Sequence, residues 1–403
     1  MTDRQNTLGP LHGVRVLDLG TMIAGPVAAT LLSDFGAEVI KVEQPQGGDP
    51  IRKIGPFVEG EGLWWNVEGR NKKSITLNLR EQEGQELLKR LVQDADVLVE
   101  NFRPGTMDKW GLGYESLSAC NPRLVYLSVS GYGQTGPYSR NAAFDRSALA
   151  FAGLLNMTGF PDRPPVRPGV AMADYQSALF GAFAVMLALY QRDVQGGTGQ
   201  HADVSLYESV FRFTDIMTTA YDKLGLKRDR SGNMHFAAAP GDHFKTADGR
   251  YVAITISNDS LFRRLCTAMG TPETAEHPDF CSHDARWRNI VKVNQWLADW
   301  IATKNTDDLV QIMTDNGLPV APILGVEDIV NNEHYMARDS IVTVKNERIG
   351  DLKMPAALPR LVGTPAPPIE AAPLLGAHNS DVYQEGLGLS AAELADLKAR
   401  GVI

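Results

Sequence analysis

Asp174 stands where a polar, proline-punctuated stretch gives way to an apolar helical run, Ala178 to Tyr190. A carboxylate at such a seam can be a helix N-cap, accepting the free amide N–H groups of the first turn. It can equally be a nucleophile whose ionised form the helix dipole favours. A second chemically suggestive segment is Asn101-Phe102-Arg103-Pro104-Gly105, which places an amide, an aromatic ring and a guanidinium side by side. An adenine can stack on the ring, and a phosphate can take the bidentate fork of the guanidinium. Those are the requirements of a bulky nucleotide-like carrier such as coenzyme A.

Other chemistries find less support. None of the eight histidines lies in a nucleophile motif, and no G-x-S-x-G is present, so a serine-hydrolase triad is unsupported. The three cysteines, Cys120, Cys266 and Cys281, are scattered and outside any C-x-x-C spacing. That pattern fits a reducing cytoplasm and speaks against a disulfide framework or a zinc site. The nearest thing to a metal cluster is Cys281-Ser282-His283, which is too sparse to prefer. A net charge of -9 without a basic run argues against nucleic acid or anionic membrane as the main partner. Met1 to Pro10 lacks the apolar core of a signal peptide, and Ala178 to Tyr190 is too short to span a bilayer. That run is expected to be a buried core helix.

The elements that must position these residues alternate along the first half of the chain. Gly13 to Leu19 reads as a buried strand, Val27 to Phe35 as a helix, and Ala37 to Glu43 as the next strand. Ser74 to Leu79, Asp96 to Glu100 and Leu124 to Ser130 are strand-like, separated by helical patterns at Glu83 to Ala95 and Leu112 to Ala119. Such alternation implies an α/β fold with a Rossmann-like parallel sheet covered on both faces. Ligand sites in these sheets gather at the carboxyl ends of the strands. That edge would carry Thr21 to Pro26, Gln44 to Arg52, Asn101 to Gly105 and Gly131 to Tyr138. A dinucleotide fingerprint is not among them: the first turn is not G-x-G-x-x-G, and Pro26 lacks an amide that a phosphate would need. The basic residues near strand ends, Arg52, Arg70, Lys72, Lys73, Arg80, Arg103, Lys109, Arg140 and Arg146, read mostly as solvated surface.

At 403 residues two domains are expected. Two short strands around Asp248-Gly249, then helical patterns at Ser260 to Met269, Lys292 to Lys304 and Thr306 to Asn316, describe a smaller α+β domain. Its expected bounds are 221–324, with 1–220 and 325–403 forming the large domain. A charged helix, Ala391 to Arg400, ends the chain.

With these segments in order, the sequence resembles the class III coenzyme A transferases. That family includes formyl-CoA transferase, carnitine CoA-transferase and alpha-methylacyl-CoA racemase. The resemblance is carried by Leu11 to Asp18 with Ala24-Gly25-Pro26, then Phe35 to Glu43 with Gly48-Asp49. It continues through Asn71 to Ile75, Asp96 to Gly105, Gly131-Tyr132-Gly133 and Thr158-Gly159-Phe160. Beyond Asp174 it takes in Gly197 to Gln200, Lys245 to Gly249, Gly317 to Pro322 and Leu375-Gly376, nearly the full length. It implies a nucleotide-binding-like domain built from both chain ends, a smaller inserted domain, and an interlocked homodimer. It puts the nucleophile at Asp174. Coenzyme A contacts, carried over by position, fall on Ile23, Ala24, Leu77, Arg80, Asn101, Phe102, Arg103 and Lys109. Ala142, Ala143, Phe144 and Asp145 would approach the pantetheine and thioester.

Two departures sharpen the expectation. Ile23 replaces a glutamine close to the substrate of formyl-CoA transferase, which disfavours oxalate chemistry. Phe144 stands where the racemase branch needs a histidine, and a phenyl ring cannot move an α-proton. The transferase branch is therefore expected, working without a metal or tightly bound cofactor, because thiolate and carboxylate are both accessible anions near neutral pH. Arg163 and Arg167, in the loop before Asp174, either hold the distal carboxylate of a dicarboxylic acyl group or are simply solvated. The substrates expected are succinyl-CoA as donor and a C4–C5 dicarboxylate such as malate, citramalate or mesaconate as acceptor. A non-catalytic acyl-CoA-binding protein is the alternative without chemistry. Backbone amides near the start of the Asp174 helix, or in the segment Ala239 to Gly241, could stabilise an oxyanion, and that segment could close over the site.

Overall fold

The strand Arg15–Asp18 (β1) forms because Val16 and Leu17 bury both faces of a short extended run, and it becomes the centre of a six-stranded sheet. The computed structural model describes residues 8–403. Around β1 lie Glu38–Glu43 (β2), Lys72–Thr76 (β3), Val97–Glu100 (β4), Val125–Ser130 (β5) and His201–Ser205 (β6). Their order across the sheet is β3-β2-β1-β4-β5-β6, and every pairing is parallel. This is the strand order of doubly wound nucleotide-binding sheets, and it places the topological switch point between β1 and β4. The sequence reading missed β6, whose burial alternates along His-Ala-Asp-Val-Ser at the sheet edge.

Side-chain alternation divides the sheet into two faces. Leu17, Ile40, Ile75, Leu98 and Tyr126 point into one core, covered by the helices Gln82–Val92 (α3) and Tyr114–Cys120 (α5). The C-terminal residues Val382, Tyr383, Leu397, Val402 and Ile403 complete that core. Tyr383 also donates its hydroxyl to Thr76 O at 2.8 Å. Toward the opposite face lie Ala24–Ser33 (α1), Leu63–Glu68 (α2), Asp145–Phe151 (α6) and the long helix Met172–Val194 (α7). Gly181 of α7 permits the close approach of α1 and β5: a Cβ there would lie 3.4 Å from Ala28 Cβ and 2.9 Å from a Leu127 methyl. A short helix, Thr106–Lys109 (α4), follows the Asn101–Gly105 segment.

α7 is longer than the apolar run suggested, at 23 residues, and it is not buried all round. By length and composition alone it could cross a bilayer. Ala173, Ser177, Gly181, Val185 and Ala188 face inward, while Leu179, Phe183, Met186, Leu187, Tyr190 and Val194 are exposed. The expected core helix is thus buried on one face only.

The chain divides into two compact units, the larger built from residues up to Leu154, Arg167–Leu224 and Asp339–Ile403. The smaller comprises Leu155–Val166 and Gly225–Arg338. These seams differ from 220/221 and 324/325, because the helix Met217–Leu224 runs past Ala220 and the helices Val326–Val330 and Glu333–Ala337 group with the smaller unit. Within the smaller unit, Gly241–Lys245 (β7), Tyr251–Thr255 (β8) and Val320–Pro322 (β9) form an antiparallel sheet. Gly249 makes the β7–β8 turn with φ +83°, which only glycine adopts cheaply. Asp259–Ala268 (α8), Ile290–Ile301 (α9) and Thr306–Asp315 (α10) pack on it through Phe262, Leu265, Val293, Leu297, Ile301 and Met313.

Candidate active site

Asp174 is the third residue of α7, and Ala171 is the residue that precedes the helix at the cap position. The N-cap reading of Asp174 is therefore excluded. The capping work is done from outside: Asp145 Oδ1, at the start of α6, accepts the Ala173 N–H at 2.7 Å. Met172 N donates to Val170 O, which leaves Asp174 N without a partner among the described residues. The Asp174 carboxylate likewise has no hydrogen-bond or ion-pair partner among them, and it is half-buried. Burial, joined by the like charge of Asp145, pushes its pKa up to about 7. The helix dipole favours the ionised form at this position, against that shift. A dipole contributes ~0.3–1 kcal/mol at a surface and is outweighed by desolvation.

Tyr175, the next residue, fixes the turn that carries Asp174. Its hydroxyl donates to Glu68 Oε1 at 2.9 Å and accepts from Trp64 Nε1 at 3.3 Å, both on α2. The Glu68 carbonyl in turn accepts from Thr30 Oγ1 of α1 at 2.6 Å. The first turn of α7 is thus tied through α2 to α1. Nothing in the sequence pattern pointed to Trp64 or Glu68, because their link to Tyr175 spans more than a hundred residues.

The turns at the switch point meet as expected. Ile23 is the residue before α1 and Ala24 its first member; at 5% and 4% exposure their side chains face inward, so a ligand would meet backbone there. Leu77 follows β3 and is 1% exposed within the main core, so its side chain is likewise out of reach. Asn101 is turned toward β1's turn, with both ends of its amide committed to Thr21: Thr21 N donates to Oδ1 at 2.7 Å, and Nδ2 donates to Thr21 O at 2.8 Å. Phe102 packs edge-on against Trp110, with ring centroids 5.4 Å apart. Arg80, Arg103 and Lys109 are exposed.

Beneath the Asn101–Gly105 segment lies a cavity of about 400 Å³ bordered by Arg103, Gly105, Gln134, Arg140, Glu100 and His201. Gln134 Nε2 is buried without a partner among the described residues, and burial pushes the Glu100 pKa up to about 7. Ala142 and Phe144 are exposed at the loop preceding α6, while Ala143 and Asp145 are half-buried. Phe144 is 77% exposed and offers no proton-transfer group.

Several basic residues expected at the solvated surface are instead interior. Arg70 forks onto Asp34, with Nε–Oδ1 at 2.9 Å and Nη2–Oδ2 at 2.6 Å. Arg52 forks onto Glu43, and Lys72 reaches Asp18 at 2.9 Å with no side-chain exposure. Arg163 and Arg167 are exposed, and neither bonds a carboxylate among the described residues. The segment Ala239 to Gly241 does not offer the amides considered for it. Ala239 N donates to Ile256 O, Gly241 N to Asn294 Oδ1, and Pro240 has none to give. Among the described residues no cluster of His, Cys, Asp and Glu has a metal-binding arrangement.

Comparison with known proteins agrees with this geometry. The profile of CoA-transferase family III matches residues 11–379. The chain is 44% identical over 395 residues to a succinyl-CoA–D-citramalate CoA-transferase of Chloroflexus aurantiacus, a match covering 98% of each chain. It is 42% identical over 397 residues to the alpha subunit of a succinyl-CoA–L-malate CoA-transferase of Chloroflexus aurantiacus, covering 98% of this chain and 92% of that one. Among solved structures, a CAIB/BAIF family protein from Brucella suis superposes with a TM-score of 0.83 at 35% identity, over 94% of this chain and 100% of the other.

Proposed function

The chain belongs to CoA-transferase family III, and from that premise we propose that it moves coenzyme A from succinyl-CoA to a small dicarboxylic acid, with Asp174 as nucleophile. Malate, citramalate and mesaconate are the acceptors that fit, and the names of the two Chloroflexus relatives support the first two. The observation that carries the role of Asp174 is its carboxylate: half-buried, unpaired among the described residues, and titrating near neutrality.

The reaction exchanges a thiolate for a carboxylate at a carbonyl. Ionised Asp174 attacks the succinyl thioester carbon, the C–S bond breaks, and an aspartyl–succinyl anhydride forms while the coenzyme A thiolate stays bound. The thiolate then attacks the aspartyl carbonyl, releases succinate, and leaves an aspartyl–CoA thioester. The acceptor carboxylate runs the two steps in reverse, regenerating Asp174 and a new acyl-CoA. Splitting the exchange this way is covalent catalysis, and both leaving groups are stable anions. Desolvation that raises the Asp174 pKa also strips water from the attacking oxygens, which makes the fraction that is ionised a stronger nucleophile. The open Asp174 N–H is placed to donate to an oxyanion formed beside the helix start. The turns at the β1/β4 switch point hold the carrier, with Arg103 and Lys109 exposed to meet its phosphates.

The chain works as an interlocked homodimer in this reading. The exposed stripe on α7, from Leu179 to Val194, is the apolar surface that a second copy covers. Light scattering on the eluted protein should give twice 44.0 kDa.

Incubating the protein with succinyl-CoA and a mixture of carboxylic acids, then reading thioesters by mass spectrometry, tests the function. New thioesters name the acceptors. A chiral 2-methylacyl-CoA gaining deuterium at its α-carbon in D2O without acyl exchange would instead establish racemase chemistry, and would overturn the reading of Phe144.

A further inference from the structure

The turn between β1 and α1, with the first residues of α1, is held at its main chain by five side chains. Gly20 N donates to Asp18 Oδ1 at 3.0 Å, and Gly20 O accepts from Lys41 Nζ. Thr21 is bonded at both N and O by Asn101. Met22 N donates to Asp49 Oδ1 at 3.0 Å, and Pro26 O accepts from Lys72 Nζ at 2.7 Å. Met22 sits at φ +65°, a left-handed conformation that a side chain of its size takes only when the surroundings impose it.

The side chains making these bonds form a charge lattice under the turn. Asp18 and Lys41 are cross-strand partners on β1 and β2, with Lys41 Nζ 3.4 Å from Asp18 and 3.1 Å from Asp49. Lys72 Nζ lies 2.9 Å from the other Asp18 oxygen. None of these side chains exposes more than 1% of its surface. Asp49 Oδ2 faces Lys41 as an ion-pair partner while its other oxygen holds the turn. Burying ions costs several kcal/mol each, and well-packed apolar residues often stabilise a fold as well or better. What apolar residues cannot supply is fixed hydrogen bonds to this turn's backbone.

We propose that Asp49, seated on the Asp18–Lys41–Lys72 lattice, and Asn101, from the facing turn, are positioning residues that hold the Gly20–Pro26 turn in its coenzyme A-binding shape. The inference rests on the functional reading above and extends it to Asp49, which is not among the expected carrier contacts, and to the Asn101 amide, which is spent on Thr21. The turn is one wall of the switch-point crevice, and Asn101 belongs to the other wall, so the two walls are locked to each other before a ligand arrives. Pre-ordering of this kind strengthens binding by removing the entropy of ordering the loop.

Calorimetric titration with coenzyme A and steady-state kinetics with succinyl-CoA test this on the intact protein. Asp49→Ala should raise both Kd and KM at least about tenfold while kcat stays within about threefold, since it removes binding order and not chemistry. Asp49→Asn keeps the acceptor for Met22 N and should restore both constants to within about threefold. A purely structural role would lower the melting temperature of D49A and leave the affinity of the folded protein unchanged, which overturns the inference. D49N binding as poorly as D49A overturns it too. If D49A does not fold, hydrogen exchange of the wild-type protein decides: the Gly20, Thr21 and Met22 amides should be as protected without coenzyme A as with it, and protection that appears only with coenzyme A overturns the inference. Wild-type protein that binds no coenzyme A would fail the functional reading itself, which separates that failure from this one.

Discussion

Beneath the Gly20–Pro26 turn, Asp18, Lys41, Lys72 and Asp49 are almost wholly buried and every one faces an opposite charge, whereas Asp174, half-buried at the start of α7, has no cation among the described residues and is pushed by Asp145. In the first region burial alone would raise the Asp18 pKa, yet Lys41 and Lys72 hold it below the usual carboxylate range. Burial likewise works against charged Lys41, and Asp18, Asp49 and Glu43 keep its pKa raised. In the second region nothing offsets burial, and the carboxyl titrates at about 7. Lys72 is the weakest member of the lattice, its pKa lowered by burial despite Asp18 and pressed further by Lys41. Paired charge shapes the crevice; charge left unpaired is available to react.

The comparison breaks most visibly by neutralising one acid from each region. Asp174→Asn should cut transfer by at least about 10³-fold while melting at or above the wild-type temperature, because a cost of burying charge is removed. Asp18→Asn should do the reverse to the fold, costing about 3–5 kcal/mol by taking from Lys72 its ion-pair partner and from Lys41 one of two. Chemical denaturation of both variants reads the contrast, and a destabilised D174N beside a stable D18N would break it.

The pH dependence is the next largest effect. Only ionised Asp174 attacks, so kcat/KM for succinyl-CoA should climb about tenfold per pH unit below a midpoint near 7 and level off above it. Stability carries the opposite sign. Between the ordinary carboxyl value of 3.8 and about 7 the folded chain holds the Asp174 proton that the unfolded chain has lost. Asp174 therefore makes stability fall as pH rises through that window, and D174N should flatten this part of the profile. A smaller shift follows from Asp145→Asn, which keeps an acceptor for Ala173 N and removes the like charge. The acid limb should move to lower pH by less than about one unit, since burial is the larger cause. Smallest is Arg167→Gln, expected to raise the apparent KM for dicarboxylate acceptors about threefold to tenfold. An unchanged KM would remove Arg167 from the acceptor site.

Much of this architecture is readable along the chain, because strands β1 to β5 and their helices carry clear alternation of pattern. The strand β6 is not, since His201–Ser205 is an edge strand whose polar residues alternate with only partly buried ones. Asp174 stands out by its place before an apolar helix, but whether it caps that helix depends on a one-turn difference in where the helix begins. The lattice is harder still. Lys72 looks like one more basic residue near a strand end, and only the 3-2-1-4 strand order brings it to Asp18, 54 residues away. Glu68 and Trp64 escape notice for the same reason: α2 has no motif, and its meaning comes from Tyr175.

The nucleophile itself can be caught. Protein mixed with succinyl-CoA, quenched with hydroxylamine and digested, should yield a peptide bearing a hydroxamate at Asp174, formed from the aspartyl–CoA thioester or the anhydride before it. The peptide should be absent when succinyl-CoA is omitted. Transfer activity with the hydroxamate on another residue, or with no modified peptide under single-turnover conditions, would contradict the account.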